Sequence, residues 1–264
     1  MLCVVDRVTG VTQLHDVVYV VYRASSTITR FNATTHQPLT AINVKYLREP
    51  CDIVACEQTS QLYVADYQKY SVKSVWRMSA DLTDVNRWLP ESSDDTFTAW
   101  RLSVTSTRLL VTSLDTHQLR QFDADGDELS RVQLPDHMEP HHAMESPTGA
   151  FIISLYNTQL EQYQVVEVNT GGEVLRQFSG SPLTSLGGTP HVAVDSHGNI
   201  FVADILSCQI LLLNNHLSLR GVIVDKHQLS FLGQPFRLCY REDKGQLLVG
   251  LDRSVLVYDV LCTR

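Results

Sequence analysis

The sequence lacks long apolar runs, and none approaches the ~20 residues that a membrane-spanning helix needs. Residues 1–7 also lack the basic start, the longer apolar stretch and the small-residue cleavage site of a secretory signal peptide. These absences lead us to expect a soluble, cytoplasmic protein that does not associate with membranes.

Cysteine is sparse as well. The chain has six cysteines in 264 residues, too few for a disulfide scaffold, and no two of them form a Cys-x-x-Cys pair. We interpret them as small, buried apolar side chains. Cys51 and Cys56 are five residues apart, so a regular extended strand would point their side chains to opposite faces.

Basic residues are outnumbered, because 21 lysines and arginines face 29 aspartates and glutamates, for a formal net charge of −8. This balance disfavours RNA, since binding to phosphates depends on Lys and Arg displacing counterions. The sequence also has no Gly-x-Ser-x-Gly elbow, Walker loop or dinucleotide fingerprint, so the enzymes that carry these motifs are not indicated.

What the chain does have is a repeat. Six short, mostly β-branched runs start roughly 42–49 residues apart, and such a period is typical of a β-propeller with several short strands in each blade. The runs are residues 19–22, 63–66, 110–113, 152–155, 201–204 and 248–251. We therefore predict an all-β fold, a six-bladed β-propeller with four-stranded antiparallel blades.

The fifth repeat shows the four strands most clearly. An inner strand at 190–194 is followed by a turn at 195–199, and strands at 200–204, 209–213 and 219–224 complete the blade. The first two strands are nearly continuous apolar runs, as expected for strands buried on both faces between neighbouring blades.

The repeats fill the whole length, so we predict a single domain over residues 1–264, present as a monomer. The other repeats cover about 10–44, 50–90, 99–135, 140–180 and 235–260. The sixth repeat lacks an outermost strand, whereas Leu2–Asp6 form a spare apolar strand before the first blade. We predict that this N-terminal strand completes the last blade, which closes the ring and removes an open sheet edge.

One segment carries a family resemblance. Thr189–Asp204 resembles an NHL repeat, whose pattern is a Pro, an apolar strand ending in Asp, a Gly-containing turn and a strand ending in Val-Ala-Asp. Pro50–Asp66 matches the pattern more loosely, and the fourth and sixth repeats keep the Pro, the Gly turn and the second strand. The resemblance implies six blades, in agreement with the count of runs.

The resemblance leaves several functions open. The NHL family includes RNA- and protein-binding propellers of tripartite-motif ubiquitin ligases, and also a metal-dependent lyase that cleaves peptidyl hydroxyglycine. Related six-bladed propellers include lactonases and phosphotriesterases. Because one fold serves all of these, the choice depends on the site residues.

Candidate site residues follow from the geometry of a propeller, in which the loop into each inner strand opens onto one mouth of the central channel. Residues just after the Pro that opens an inner strand are therefore expected to converge there. In the third blade, alignment of the second strand places Trp100 and Arg101 at the same level, and together these residues form a polar ring suited to a ligand or a metal. The predicted ring consists of Asp52, Trp100, Arg101, His142, His191, Phe236 and Arg237.

Histidines in this ring are candidate metal ligands. Neighbouring residues of a strand face opposite ways, so at most one of His141 and His142 points inward. The predicted metal set is His142, His191 and Asp52, and it would hold zinc or calcium. The resemblance supports this set, since the amidating lyase places zinc-binding histidines around its channel. In the alternative interpretation, the histidines hydrogen-bond loop backbone.

An acidic loop at 123–128, Asp-Ala-Asp-Gly-Asp-Glu, looks like the start of an EF-hand. An EF-hand loop needs Gly at its sixth position and Glu at its twelfth, whereas Gly126 is fourth here and Leu134 is twelfth. We predict a hairpin turn, where Asp-Gly is favoured.

Together these observations favour a non-enzymatic propeller that binds a protein or peptide at one mouth, without a cofactor. The first alternative is a metal-dependent lyase or hydrolase that uses the set Asp52, His142 and His191. The second is an RNA-binding propeller.

Overall fold

The computed structural model describes residues 7–67, 74–89, 97–181, 184–229 and 231–260. In this part of the chain, five sheets have four antiparallel strands in sequence order and a sixth has three. Their innermost strands pack against one another in turn, and the last packs against the first. The sheets thus form the ring of a six-bladed β-propeller, as predicted.

Each blade runs from an inner strand beside the axis to an outer strand at the rim. The strands are β1 Val8–Leu14, β2 Val17–Tyr22, β3 Thr27–Asn32 and β4 Pro38–Asn43 in blade 1; β5 Pro50–Cys56, β6 Gln61–Asp66, β7 Ser74–Ser79 and β8 Val85–Leu89 in blade 2; β9 Arg101–Val104, β10 Leu109–Ser113, β11 Gln118–Phe122 and β12 Glu128–Gln133 in blade 3; and β13 Met138–Glu145, β14 Phe151–Asn157, β15 Gln162–Val168 and β16 Val174–Phe178 in blade 4.

Blades 5 and 6 follow after a short hairpin, β17 Gly180–Ser181 with β18 Thr184–Ser185. Blade 5 contains β19 His191–Val194, β20 Ile200–Asp204, β21 Gln209–Leu213 and β22 Leu219–Val224. One helical turn, α1 Lys226–Leu229, leads to blade 6 with β23 Arg237–Arg241, β24 Gln246–Gly250 and β25 Val255–Asp259. Within these described residues, no helix is long and apolar enough to cross a membrane.

Apolar clusters fill the spaces between neighbouring blades, which explains why the inner strands are buried on both faces. At the seam that closes the ring, Val8 and Val18 of blade 1 pack with Leu248 of blade 6. The outer strands β4 and β12 are mostly exposed. Burial is therefore greatest near the axis, where the strands that frame the channel lie.

Backbone hydrogen bonding adds to the same seam. The Val8 N–H donates to the Leu251 carbonyl at 3.2 Å, and Lys244 Nζ donates to the Ala33 carbonyl at 3.3 Å. The predicted closing strand, Leu2–Asp6, lies outside the described residues, so its pairing with the last blade stays a prediction.

Asp and Asn side chains close the outer hairpins. Asp123 Oδ1 accepts three backbone N–H groups of its own turn, each at 2.9 Å, and Gly126 adopts a φ of 98° there. Asn169 and Asn214 close the equivalent turns of blades 4 and 5 in the same way. The acidic loop is therefore the hairpin turn that its sequence predicted.

Candidate functional site

Irregularities in the inner strands decide which side chains enter the channel. Strands β1, β5 and β13 each carry a β-bulge close to their first residue. A bulge inserts one residue and so interrupts the alternation of side chains. In β5 it lies between Pro50 and Asp52, and Cys51 and Cys56 consequently pack into the same cluster between blades 2 and 3. The expectation that these two cysteines face opposite ways was wrong.

Three of the predicted residues meet inside the channel. A carboxylate oxygen of Asp52 and a ring nitrogen each of His142 and His191 all lie within 4.8 Å of one another, and all three residues are buried. The two imidazole rings stack, with centroids 3.8 Å apart and planes inclined by 20°. We call these three residues the inner trio.

Asp52 is held by backbone donors from two blades. Its Oδ2 accepts the Leu102 N–H of blade 3 and its Oδ1 accepts its neighbour's N–H, that of Ile53, both at 3.0 Å. Burial raises the pKa of the Asp52 carboxyl, while the charges of Arg101 and Arg237 act in the opposite direction. The carboxylate therefore joins the inner strands of blades 2 and 3.

Both histidines of the trio are neutral and have defined tautomers. His142 Nε2 lies 3.2 Å from the Leu102 carbonyl, which can only accept, so Nε2 carries the proton. His191 Nδ1 accepts the Leu238 N–H at 3.3 Å. Burial lowers the pKa of His142 to about 3 and that of His191 well below its usual value, and nearby arginines add to both shifts.

This arrangement offers few free donors to a metal ion. A catalytic zinc site takes about three protein ligands. The Nδ1 lone pair of His191 already accepts an N–H, and both oxygens of Asp52 do so as well. Within the inner trio, His142 Nδ1 is the one side-chain atom that is buried without a hydrogen-bond partner. Each Asp52 oxygen keeps a second lone pair, so in this arrangement the trio offers a metal one imidazole nitrogen and one carboxylate, fewer than the three ligands of a catalytic zinc site.

Arg237 crosses the channel between the inner trio and the mouth where the inner strands begin, which is the upper end in this description. Its Nε donates to the Thr9 carbonyl and its Nη1 to the Phe236 carbonyl, both at 2.5 Å, and Nη2 donates to the Cys51 carbonyl at 3.4 Å. These acceptors belong to blades 1, 6 and 2. Arg101 of blade 3 donates to the same Cys51 carbonyl, so two guanidinium groups converge on one carbonyl.

The charge of these two guanidinium groups is only partly balanced. Among the described residues, no carboxylate forms an ion pair with Arg101 or Arg237. Burial lowers the pKa of Arg237 to about 9, with repulsion from Arg101 as the next cause, while Asp52 partly offsets both. Arg237 is still a cation at neutral pH, and the mouth has an excess of positive charge.

Above Arg237 the channel opens into a cavity of about 300 Å³, which we call the outer vestibule. Its walls combine cations with aromatic rings. The Arg7 guanidinium lies 3.9 Å from the Phe236 ring centroid, and that of Arg101 lies 4.8 Å from the Trp100 centroid. Glu49 is the one acid among the lining residues that the structure describes. The cationic and aromatic lining residues are Arg7, Arg23, Tyr67, Trp100, Arg101, Phe236 and Arg237.

Below Arg237 lies a second cavity of about 250 Å³, lined by the inner trio, and Arg237 borders both cavities. The seven predicted residues therefore occupy two levels. Trp100, Arg101 and Phe236 line the vestibule, whereas the trio lies beneath it. Sequence reasoning placed them all in one ring, because it had no information on depth along the axis.

His141 and Cys51 lie beside the predicted site residues in sequence, but neither offers a reactive group to the channel. His141 packs beside Tyr163, with ring centroids 5.8 Å apart, and burial lowers its pKa to about 4. Only His142 of the adjacent pair points inward, as predicted. Burial raises the pKa of the Cys51 thiol to about 11, and its single S–H lies 3.4 Å from the carbonyls of both Ala65 and Trp100, either of which can accept it, so the thiol is a poor nucleophile.

Sequence reasoning missed three vestibule residues, Arg7, Arg23 and Tyr67. Arg23 directly follows β2 and Tyr67 directly follows β6. Because the second strand of a blade ends beside the start of the first, residues after both kinds of boundary reach the same mouth. Reading the residue after each second strand would have found two of the three.

Comparisons with known proteins bear on the fold alone. No protein-family model matches the chain, and no curated protein does. Solved structures do match. Hydrazine synthase from Kuenenia stuttgartiensis aligns with 13% identity over 96% of this chain and 83% of that chain, with a TM-score of 0.66.

Two further structures show the same architecture. A catalytically inactive variant of virginiamycin B lyase from Staphylococcus aureus, solved with quinupristin, aligns with 12% identity over 95% of this chain and 79% of that chain, at a TM-score of 0.66. A chain of a nidogen–laminin complex aligns with 15% identity over 84% of this chain and 81% of its own length, at 0.63. At such identities the likeness establishes a six-bladed propeller, and the NHL pattern of Thr189–Asp204 remains a resemblance.

Proposed function

We propose that this propeller is a non-enzymatic, monomeric binding module that holds an acidic segment of a protein or peptide partner in the outer vestibule. The observation that carries the proposal is the pair Arg101 and Arg237, two guanidinium groups that form no ion pair with a described carboxylate, at the floor of a concave, aromatic-walled mouth. A partner carboxylate would supply the missing charge, and hydrogen bonds between ionised groups are the stronger ones.

The aromatic rings add contact area around this charge. Arginine and aromatic side chains in concave, desolvated positions are the residues that dominate protein interfaces. Trp100 and Phe236 are each covered by an arginine, so a bound carboxylate would lie among cations whose alkyl stems and ring partners are already packed. A preorganised pocket of this kind loses less side-chain freedom on binding.

RNA is the competing occupant, because arginines beside aromatic rings also suit stacked bases. The net charge of −8 favours the acidic peptide, since the rest of the surface repels a phosphate chain outside the vestibule. A short peptide segment needs only the vestibule itself.

A peptide selection tests the proposal directly. A random-sequence peptide library is selected on the purified chain, and the affinity of enriched peptides is measured by fluorescence anisotropy. We expect enrichment of Asp and Glu. The exposed variant Arg23→Glu and the floor variant Arg101→Glu should each weaken binding about tenfold or more.

Arg220→Glu is the matched control, because it makes the same charge change on the exposed outer strand β22. It should leave the affinity unchanged. Peptides without acidic enrichment, or equal losses in the control, would overturn the proposal. So would tighter binding of a poly-uridine probe than of any selected peptide.

A metal-dependent lyase or hydrolase is the second candidate, favoured by the closeness of Asp52, His142 and His191. Since the unprotonated nitrogen of His191 accepts an N–H from blade 6 and Asp52 accepts one from blade 3, we propose that the trio is a structural link between blades. Elemental mass spectrometry on protein purified without a tag or chelator is expected to find no stoichiometric zinc or calcium. A stoichiometric metal that disappears in His142→Ala would favour the enzyme.

A further inference from the structure

An exposed apolar patch lies in the loops of blade 5 and the lead into blade 6. Leu206, in the turn between β20 and β21, is 70% exposed. Phe231 is 96% exposed and Leu232 is 44% exposed, and both lie between α1 and β23. Several large exposed apolar residues on linked loops mark a docking surface better than a single one does, because single exposed apolar residues are ordinary.

Hydrogen bonds connect these loops to each other. Cys208 Sγ lies 3.7 Å from the Gly233 carbonyl, joining the turn after β20 to the segment before β23. The Leu206 N–H donates to the Gly187 carbonyl at 3.3 Å. A Cβ on Gly187 would lie only 2.5 Å from the Leu206 Cβ, so the absence of a side chain there lets Leu206 lie against this segment.

The same segments reach the outer vestibule. Thr189 lies two residues after Gly187, and Phe236 lies five residues after Phe231, and both line the vestibule. Five residues of extended chain span at most ~18 Å. The basic mouth and the apolar patch are therefore adjacent parts of one face of the propeller.

We propose that this face binds a two-part segment of a partner protein, with an acidic side chain in the outer vestibule and an apolar side chain on the patch of Leu206, Phe231 and Leu232. This inference rests on the proposed function and specifies the partner's chemistry. The arginines of the vestibule favour an acidic partner segment. Given the distance from the vestibule to the patch, the acidic and apolar residues of that segment should lie within about five positions of each other.

A peptide library with a fixed pair of glutamates and random flanking residues tests the spacing. We expect Phe, Leu, Ile or Met to be enriched at one preferred distance from the glutamates. For the tightest enriched peptide, the double variant Leu206→Ser with Phe231→Ser should weaken binding at least about fivefold, the usual loss for a truncated anchor. Both side chains are exposed, so the fold should be unaffected.

Leu175→Ser is the matched control, because Leu175 is 51% exposed on the outer strand β16. It should leave the affinity unchanged. Random flanking sequences, or full affinity in the double variant, would overturn the two-part inference while acidic binding persisted. Loss of acidic binding in the wild type would instead overturn the proposed function. Wild-type dimers in sedimentation velocity that the double variant abolishes would assign the patch to a second copy and overturn the inference.

Discussion

The Arg237 guanidinium donates its hydrogen bonds to backbone carbonyls of blades 1, 2 and 6, which come together at this point of the channel. Carbonyl acceptors satisfy its N–H groups but leave its charge only partly compensated by Asp52. Beneath it, the inner trio stays neutral at both imidazoles. In the proposed function, the arginines attract an anion, whereas the trio links the blades.

The histidines predict how stability depends on pH. With a pKa of about 3 for His142 and about 4 for His141, the folded state does not take up a proton that the unfolded state binds below about 6.5. Stability should therefore fall as pH falls from 6.5 to 4, by ~1.4 kcal/mol per pH unit for each such histidine. The raised pKa of Asp52 acts in the opposite direction, in a window above 3.8.

Urea denaturation across this pH range measures the slope. His142→Gln keeps a donor for the Leu102 carbonyl and removes one titrating group, so its slope should be shallower by about one histidine. The exposed His216→Gln is the control and should retain the wild-type slope. An unchanged slope in His142→Gln would contradict the assignment.

At the scale of strands, close approach between inner strands depends on residues without a side chain. A Cβ on Gly10 would lie 2.6 Å from the Ile53 backbone nitrogen and 2.9 Å from a methyl group of Val21. Gly10 lies at the bulge of β1, where this strand packs against β5. Its small size sets the distance between blades 1 and 2.

We expect Gly10→Ala to destabilise the fold by about 1–3 kcal/mol, the usual cost of overpacking. Thermal unfolding measures the effect. Gly221→Ala is the matched control, since a Cβ there has nothing within 4 Å, and it should be neutral or slightly stabilising. Equal melting temperatures for the two variants would refute the close-packing argument.

For the whole molecule, the seam between blades 6 and 1 decides whether the ring behaves as one cooperative unit. The described part of the seam is an apolar cluster with several hydrogen bonds that join blade 1 to the last blade, among them those of Val8, Lys244 and Arg237. A ring that opened here would expose strand edges, which is costly and invites aggregation.

Deletion of residues 1–7 tests the predicted closing strand. We expect a far larger loss of melting temperature than from deletion of 261–264, because an ordinary terminus contributes little. Arg7→Ala separates the loss of that side chain from the loss of the strand. Unchanged melting of the 1–7 deletion would show that the ring closes without it.

The number of blades and the strands of blade 5 could be predicted from the amino-acid sequence, because they depend on local patterns. Apolar runs at a regular period specify strands, and strands β20, β21 and β22 have the predicted bounds. The outer turns led by Asp123, Asn169 and Asn214 follow from side-chain hydrogen bonds within a few residues. Such features need no knowledge of distant parts of the chain.

Only the tertiary structure decided how deep each side chain lies along the channel and which side chains meet there. Bulges in β5 and β13 shift side chains by one position, and no local pattern marked them. Arg7 and Arg23 join Arg237 in the vestibule although more than 200 residues separate them, because the ring brings its first and last blades together. The site therefore forms only when the ring closes, and this closure cannot be deduced from the individual repeats.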